Sequence, residues 1–380
     1  MSSDHLSRRT VLTAGAAVAL TPVLGRTAAS ADVPTWQDVP VSLGADVASL
    51  DALALVDRHW GWAGGELAGT AYNLALARWN GRAWSRFPIP EPFGGGGVVM
   101  AAADRRHLWL MGYGTYYSAF WDGSAWHEAE IPRDPGFSFP VEVGPYSISA
   151  ARDGTAWAVL VDVVNDRYAA VRWEDGAWAR VPVPVPDRGV AQRVAVRSSR
   201  DVWISGWYRG GSGSGSRMPF SLHWDGRSWT GVAVSPPDQP REGQTIKHLF
   251  PVSRSLAWAY RSWDAMPTRR TLLRWTGGDS WQEFPLPDDV PYTGGALADD
   301  GRGGVWIGGG DYGSSGYGHF RDGGWTVLRG PSRQSDERAD VMGLARVPGT
   351  RTVMAVGQIT CRGTGNPSGY AKRPFAERLH

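Results

Sequence analysis

Short apolar runs recur along the chain, each following a polar turn and most holding a tryptophan. They read Arg58-His59-Trp60-Gly61-Trp62, His107-Leu108-Trp109-Leu110, Thr155-Ala156-Trp157-Ala158-Val159, Asp201-Val202-Trp203-Ile204, Leu256-Ala257-Trp258-Ala259 and Gly304-Val305-Trp306-Ile307. A last copy, Thr352-Val353-Met354-Ala355-Val356, lacks the ring. Anchored on Trp62, Trp109, Trp157, Trp203, Trp258, Trp306 and Met354, the runs repeat at about 48 residues. Runs this short, aromatic or β-branched and bounded by turn residues, predict strands rather than helices.

A second pattern alternates with the first. Trp79-Asn80-Gly81-Arg82-Ala83-Trp84, Trp121-Asp122-Gly123-Ser124-Ala125-Trp126, Trp173-Glu174-Asp175-Gly176-Ala177-Trp178 and Trp224-Asp225-Gly226-Arg227-Ser228-Trp229 are its clearest copies. Trp275–Trp281 and Phe320–Trp325 are variants of it. Asn-Gly or Asp-Gly between apolar residues is a strong hairpin signal, because both positions tolerate positive φ. The flanking rings are expected to meet as cross-strand pairs. Phe87-Pro88-Ile89-Pro90, Val181-Pro182-Val183-Pro184 and Phe284-Pro285-Leu286-Pro287 follow three of these hairpins. Proline is tolerated at a sheet edge, so the second arm is predicted to be outermost. Each period therefore predicts four antiparallel strands, the repeat of a β-propeller blade.

The ends set the count. Seven anchors predict seven blades, but the last unit supplies only Val341–Val347, Thr352–Gln358 and Pro374–Leu379. The missing fourth strand is expected from the N-terminus, where Trp36-Gln37-Asp38-Val39-Pro40-Val41 repeats the edge-strand pattern. The predicted fold is an all-β, seven-bladed propeller whose N-terminal strand joins the C-terminal blade and closes the ring.

Composition agrees with this reading: the 380 residues include 50 Gly, 26 Pro and 21 Trp. Residues 1–31 are set apart. Ser7-Arg8-Arg9-Thr10-Val11-Leu12, a mild apolar run to Leu24 and Ala29-Ser30-Ala31 resemble a twin-arginine signal peptide, which implies export and cleavage. Residues 32–380 are then expected to be one secreted, monomeric propeller domain. Lys and Arg total 39 against 37 acids. The signal segment holds Arg8, Arg9 and Arg26 against Asp4, so the mature chain is balanced. That argues against nucleic acid as a partner. No later apolar run is long enough to predict membrane insertion. The one cysteine, Cys361, forbids an internal disulfide.

Asp300 to Gly309, Asp-Gly-Arg-Gly-Gly-Val-Trp-Ile-Gly-Gly, resembles the repeats of two-component-sensor propellers. Ser149 to Trp157 loosely resembles a sialidase Asp-box, and the paired aromatics look kelch-like. These resemblances imply the fold and carry no catalytic residue over. The histidines of residues 32–380 show no metal-ligand spacing, so neither metal nor cofactor is expected.

The segments between second and third strands do not follow the repeat, and propeller topology gathers them on one face. They hold Tyr72, Tyr113, Tyr116, Tyr117, Asp162, Tyr168 and Trp207. They also hold Tyr208, Trp263, Asp264, Arg269, Asp311, Tyr312 and Tyr317. Aromatic rings beside carboxylates and guanidinium groups suit the faces and hydroxyls of a sugar. The first expectation is a recognition propeller for a carbohydrate or cell-surface polymer. The alternatives are a glycoside hydrolase or polysaccharide lyase on the same face, and a scaffold for an exported protein. Tyrosines half-buried against blade edges are the non-functional alternative.

Overall fold

The computed structural model describes residues 34–68, 74–90, 98–112, 117–132, 143–162, 164–210, 217–234, 243–263, 270–290, 296–362 and 370–380. Residues Thr35–His380 form one compact unit. Among the described residues all of its regular structure is β, and it is a propeller of four-stranded antiparallel blades.

The first sheet takes Ala52–Asp57, Trp60–Glu66, Leu74–Trp79 and Trp84–Phe87 in sequence order. Four further sheets repeat this meander, beginning at Val98, Val143, Gly189 and Gln244. The remaining strands form one continuous eight-stranded sheet instead of two separate ones. Its first half is Leu297–Asp299, Val305–Tyr312, Ser315–Arg321 and Gly324–Arg329. Its second half is Arg338–Arg346, Val353–Arg362, Tyr370–Leu379 and Trp36–Asp38. At the join, Leu297–Asp299 pairs with Val305–Ile307, and further along the same strand Gly310–Tyr312 pairs with Arg338–Asp340.

The hairpin turns form as the Asn/Asp-Gly pattern predicts. Gly81, Gly123 and Gly226 have φ of +94°, +97° and +99°. Before them, the side-chain oxygens of Asn80, Asp122 and Asp225 each accept two backbone N–H groups of their own turn. In Asp175-Gly176 and Asp322-Gly323 both residues have positive φ, which gives the tighter two-residue turn. The flanking rings meet across the strands, with centroids 5.5 Å apart in Trp79–Trp84 and 5.2 Å in Trp173–Trp178.

The second-strand tryptophans are core. Trp62, Trp109, Trp157, Trp203, Trp258 and Trp306 are all buried, the first five packed between neighbouring sheets and Trp306 between the two halves of the large sheet. Burying indole rings at each sheet-to-sheet contact supplies much of the apolar area that holds such a repeat together. The last contact of the series brings Met354, Val356 and Ala376 from the second half of the large sheet onto Val47, Leu50, Ala75 and Ala77 near the first.

The N-terminal strand lies where its sequence pattern put it. Trp36, Gln37 and Asp38 pair antiparallel with Leu379, Arg378 and Glu377. Trp36 stacks on Tyr317 with centroids 3.6 Å apart and meets Trp306 edge-on. The chain then crosses to the first sheet, where Pro40 O accepts from Trp84 N at 3.0 Å and Val41–Ser42 runs parallel to Trp84–Ser85. A few residues thus tie the end of the chain to its beginning.

Candidate functional site

Antiparallel alternation gives the unit two unlike ends. First-to-second and third-to-fourth turns lie at one end; second-to-third turns and the links between sheets lie at the other.

The first end is stapled. Arg105 reaches Asp57 of the preceding sheet at 2.7 Å. Ser199 N donates to Asp153 at 2.7 Å, and Arg346 pairs with Asp299 at 2.8 Å. Arg152 donates to Val56 O at 3.0 Å, skipping the second sheet. Two histidines are also locked here by the same device. His223 and His319 stack on Trp203 and Trp306 while their Nε2 atoms face Asp201 and Asp300 at 3.0 and 2.9 Å.

The second end differs. Among the described residues the exposed large hydrophobic side chains are Tyr117 at 49%, Val164 at 55%, Tyr312 at 63% and Tyr370 at 50%. All four belong to second-to-third turns or the strand ends beside them, in the second and third sheets and in both halves of the large sheet. The four share this end but stand singly, on different strands.

Several charged groups of the large sheet at this end are paired. Arg329 pairs with Asp311. Burial opposes ionisation of Asp311, but hydrogen bonds from Arg329 and Tyr312 N outweigh it and hold the carboxyl below its ordinary range. Arg338 pairs with Asp340 at 2.8 Å and lies over the Tyr312 ring, 5.8 Å from its centroid. Arg373 meets Glu337 at 2.8 Å, and this hydrogen bond lowers the pKa of Glu337.

One carboxyl at this end is unlike the others. Asp51 precedes the first strand of the first sheet, and burial pushes its pKa up to about 6. A hydrogen bond from Ser49 Oγ at 2.8 Å opposes that rise, the charge of Glu66 adds to it and Lys372 counters it. Ser49 Oγ also accepts from Glu66 N at 3.2 Å. The tight approach depends on Gly65, where a Cβ would lie 1.9 Å from Ser49 O. A carboxyl that holds its proton up to about pH 6, with a second acidic side chain raising its pKa, has the makings of a general acid in mildly acid conditions.

The predicted site residues divide sharply. Tyr117 and Tyr312 stand exposed, and Asp311 sits half-exposed beside Tyr312. Tyr168 is half-buried and donates to Val183 O at 3.0 Å, while Tyr208 packs on the core between the third and fourth sheets. Asp162, Trp207 and Tyr317 are buried. Asp162 accepts Val164 N and Asn165 N and so shapes its own turn. Trp207 lies beneath the Arg217 guanidinium at 4.2 Å, with Asp166 pairing Arg209. Tyr317 donates to Glu377 at 2.6 Å, within a buried group that includes Ser315 and Arg333. Trp263 ends the strand Leu256–Trp263, opposite Gln244. Tyr72, Tyr113, Tyr116, Asp264 and Arg269 lie outside the described residues. Asp51 and Lys372 were not singled out from sequence; no period marks them, and their meeting depends on the two ends of the chain coming together.

No protein-family model and no curated protein matches the chain. Solved structures do. A structure of YCF48 bound to a D1 peptide is 15% identical, with a TM-score of 0.52, covering 90% of this chain and 96% of that one. A GH74 xyloglucanase from Xanthomonas campestris is 14% identical with a TM-score of 0.56, over 90% of this chain and 55% of that one. The polysaccharide lyase Uly1 is 10% identical with a TM-score of 0.52, over 90% and 92%. At these identities the likeness establishes the propeller fold.

Proposed function

We propose that the chain is an exported recognition protein that holds a carbohydrate or cell-surface polymer on the end carrying the second-to-third turns. The observation behind this reading is that the exposed large hydrophobics among the described residues, Tyr117, Val164, Tyr312 and Tyr370, all lie at that end. We propose further that the propeller is a closed ring of seven blades, each half of the large sheet counting as one. The apolar contact between residues 354–376 and the first sheet supports that count. Export rests on the resemblance of residues 1–31 to a twin-arginine signal, a route suited to a protein that folds before it crosses a membrane.

Two of the similar folds are described as polysaccharide-active and one as bound to a peptide. A glycan is therefore the first ligand to test and an exported protein the second. The mature chain, residues 32–380, is expected to bind polysaccharides on a glycan array without cleaving them. Absence of any glycan signal, with capture of a defined exported protein instead, would favour the scaffold.

A second reading, an exported glycoside hydrolase or polysaccharide lyase, is favoured by Asp51 and Glu66. Hydrolysis needs one carboxyl to protonate the departing oxygen and another to activate or replace water. Release of reducing ends from a bound polymer, lost in Asp51→Asn, would establish it; binding without turnover would remove it.

A further inference from the structure

We infer that the end carrying the first-to-second turns binds a compact anion bearing several phosphate or sulfate groups. This site lies at the opposite end from the proposed glycan surface and is independent of it. Every first-to-second turn carries an exposed arginine. Arg58, Arg106, Arg200, Arg254, Arg302 and Arg351 supply all but one, and among the described residues none of their guanidinium groups has an ion-pair or hydrogen-bond partner. The remaining turn, in the third sheet, supplies Arg152, whose guanidinium donates to Val56 O at 3.0 Å. A carbonyl leaves that positive charge uncompensated. The turns also lie close together. First strands of successive sheets touch one another, and Arg338–Arg346 of the large sheet touches Ala52–Asp57 of the first. Arg152 reaches past the second sheet to the first, so one side chain spans the gap between alternate turns.

The carboxylates of these turns do not cancel the charge. Asp57, Asp201, Asp299 and Asp300 are taken by other arginines, namely Arg105, Arg197, Arg346 and Arg321. Asp104 accepts Arg106 N and His107 N, and Asp153 accepts Thr155 N and Ser199 N. The turns of Arg254 and Arg351 hold no carboxylate. On the third-to-fourth turns, across each sheet from its first strand, Asp122, Asp175, Asp225, Asp279 and Asp322 outnumber Arg82 and Arg227. A cationic centre inside an acidic margin admits a compact anion and opposes a long polyanion laid across it. Guanidinium forks match the paired oxygens of phosphate and sulfate. Each exposed contact contributes modestly, so useful affinity requires several arginines on one ligand.

Isothermal titration of residues 32–380 with inositol hexakisphosphate, orthophosphate and heparin tests this. The hexakisphosphate is expected to bind one to one, about 100-fold more tightly than orthophosphate, and to weaken as salt rises. Arg254→Gln and Arg351→Gln should each weaken it by about two- to fivefold, and the double variant by about the product. Arg82→Gln, on a third-to-fourth turn, should bind like the parent chain. All three side chains are exposed, so unchanged melting of the variants will separate lost contact from lost fold. Heparin binding without hexakisphosphate binding would overturn the compact class. Equal losses in Arg82→Gln and Arg254→Gln would overturn the location, and orthophosphate binding as tightly would overturn the joint action of the arginines. No binding of any probe at low salt would remove the site. Glycan binding at the opposite end is read separately on the array, so either result can fail without the other.

Discussion

Asp51 is the residue at which the fold works against a charge. Its pKa stands near 6 against an ordinary 3.8, with burial as the main cause. A raised carboxyl pKa means that the folded chain binds its proton more tightly than the unfolded chain. The cost is absent below the unfolded value and fully present once the pH exceeds about 6. Asp51→Asn keeps an acceptor for Ser49 and removes the charge. It is expected to raise stability at pH 7.5, by at most about 3 kcal/mol, and to leave it unchanged at pH 4. Thermal melts at the two pH values decide this, and a variant less stable at pH 7.5 would contradict it.

At the scale of the element, the hairpins turn on their glycines, and the surroundings grade them. Gly176 has φ of +82° with nothing within 4 Å of an added Cβ, so Gly176→Ala should cost only the backbone strain, about 1 kcal/mol. Gly226 has φ of +99°, and a Cβ there would meet Arg200 Cγ at 2.7 Å and its Cα at 3.2 Å. Gly226→Ala should therefore destabilise distinctly more, and equal losses in urea unfolding would refute the distinction. Both turns are legible as Asp-Gly pairs in sequence. Only the fold sets Arg200 against one of them.

At the scale of the whole molecule, the N-terminal strand is the element whose loss should matter most. Trp36 is buried between Tyr317 and Trp306, and Asp38 pairs with Arg333, which also holds the buried Glu377 at 2.8 Å. Removing Arg333's partners or the strand exposes apolar surface and leaves buried charge less compensated. Trp36→Ala is expected to cost about 3–5 kcal/mol. A chain lacking residues 32–43 should melt far below one that spans residues 32–380; melting together would refute closure by this strand.

What the sequence determined by itself is the local and periodic part of this protein. Tryptophan-bearing strands every 48 residues or so, Asp-Gly hairpins with facing rings, and the edge-like pattern of residues 36–41 all follow from spacing and turn chemistry. These features are legible because strand formation and tight turns depend on neighbours a few positions away. The candidate site was legible only as a set of aromatic-rich segments. Tyr312 and Tyr317 stand five positions apart in one such segment, and nothing in their spacing distinguishes them. Tertiary structure makes one 63% exposed and covers the other completely. Tyr317 is covered because Trp36, from the opposite end of the chain, stacks on it. Tertiary structure likewise fused the last two four-stranded units through Gly310–Tyr312 and set Asp51 beside Glu66 and Lys372. Burial and electrostatic environment depend on which sheet packs against which, and that is settled only when the chain's two ends meet.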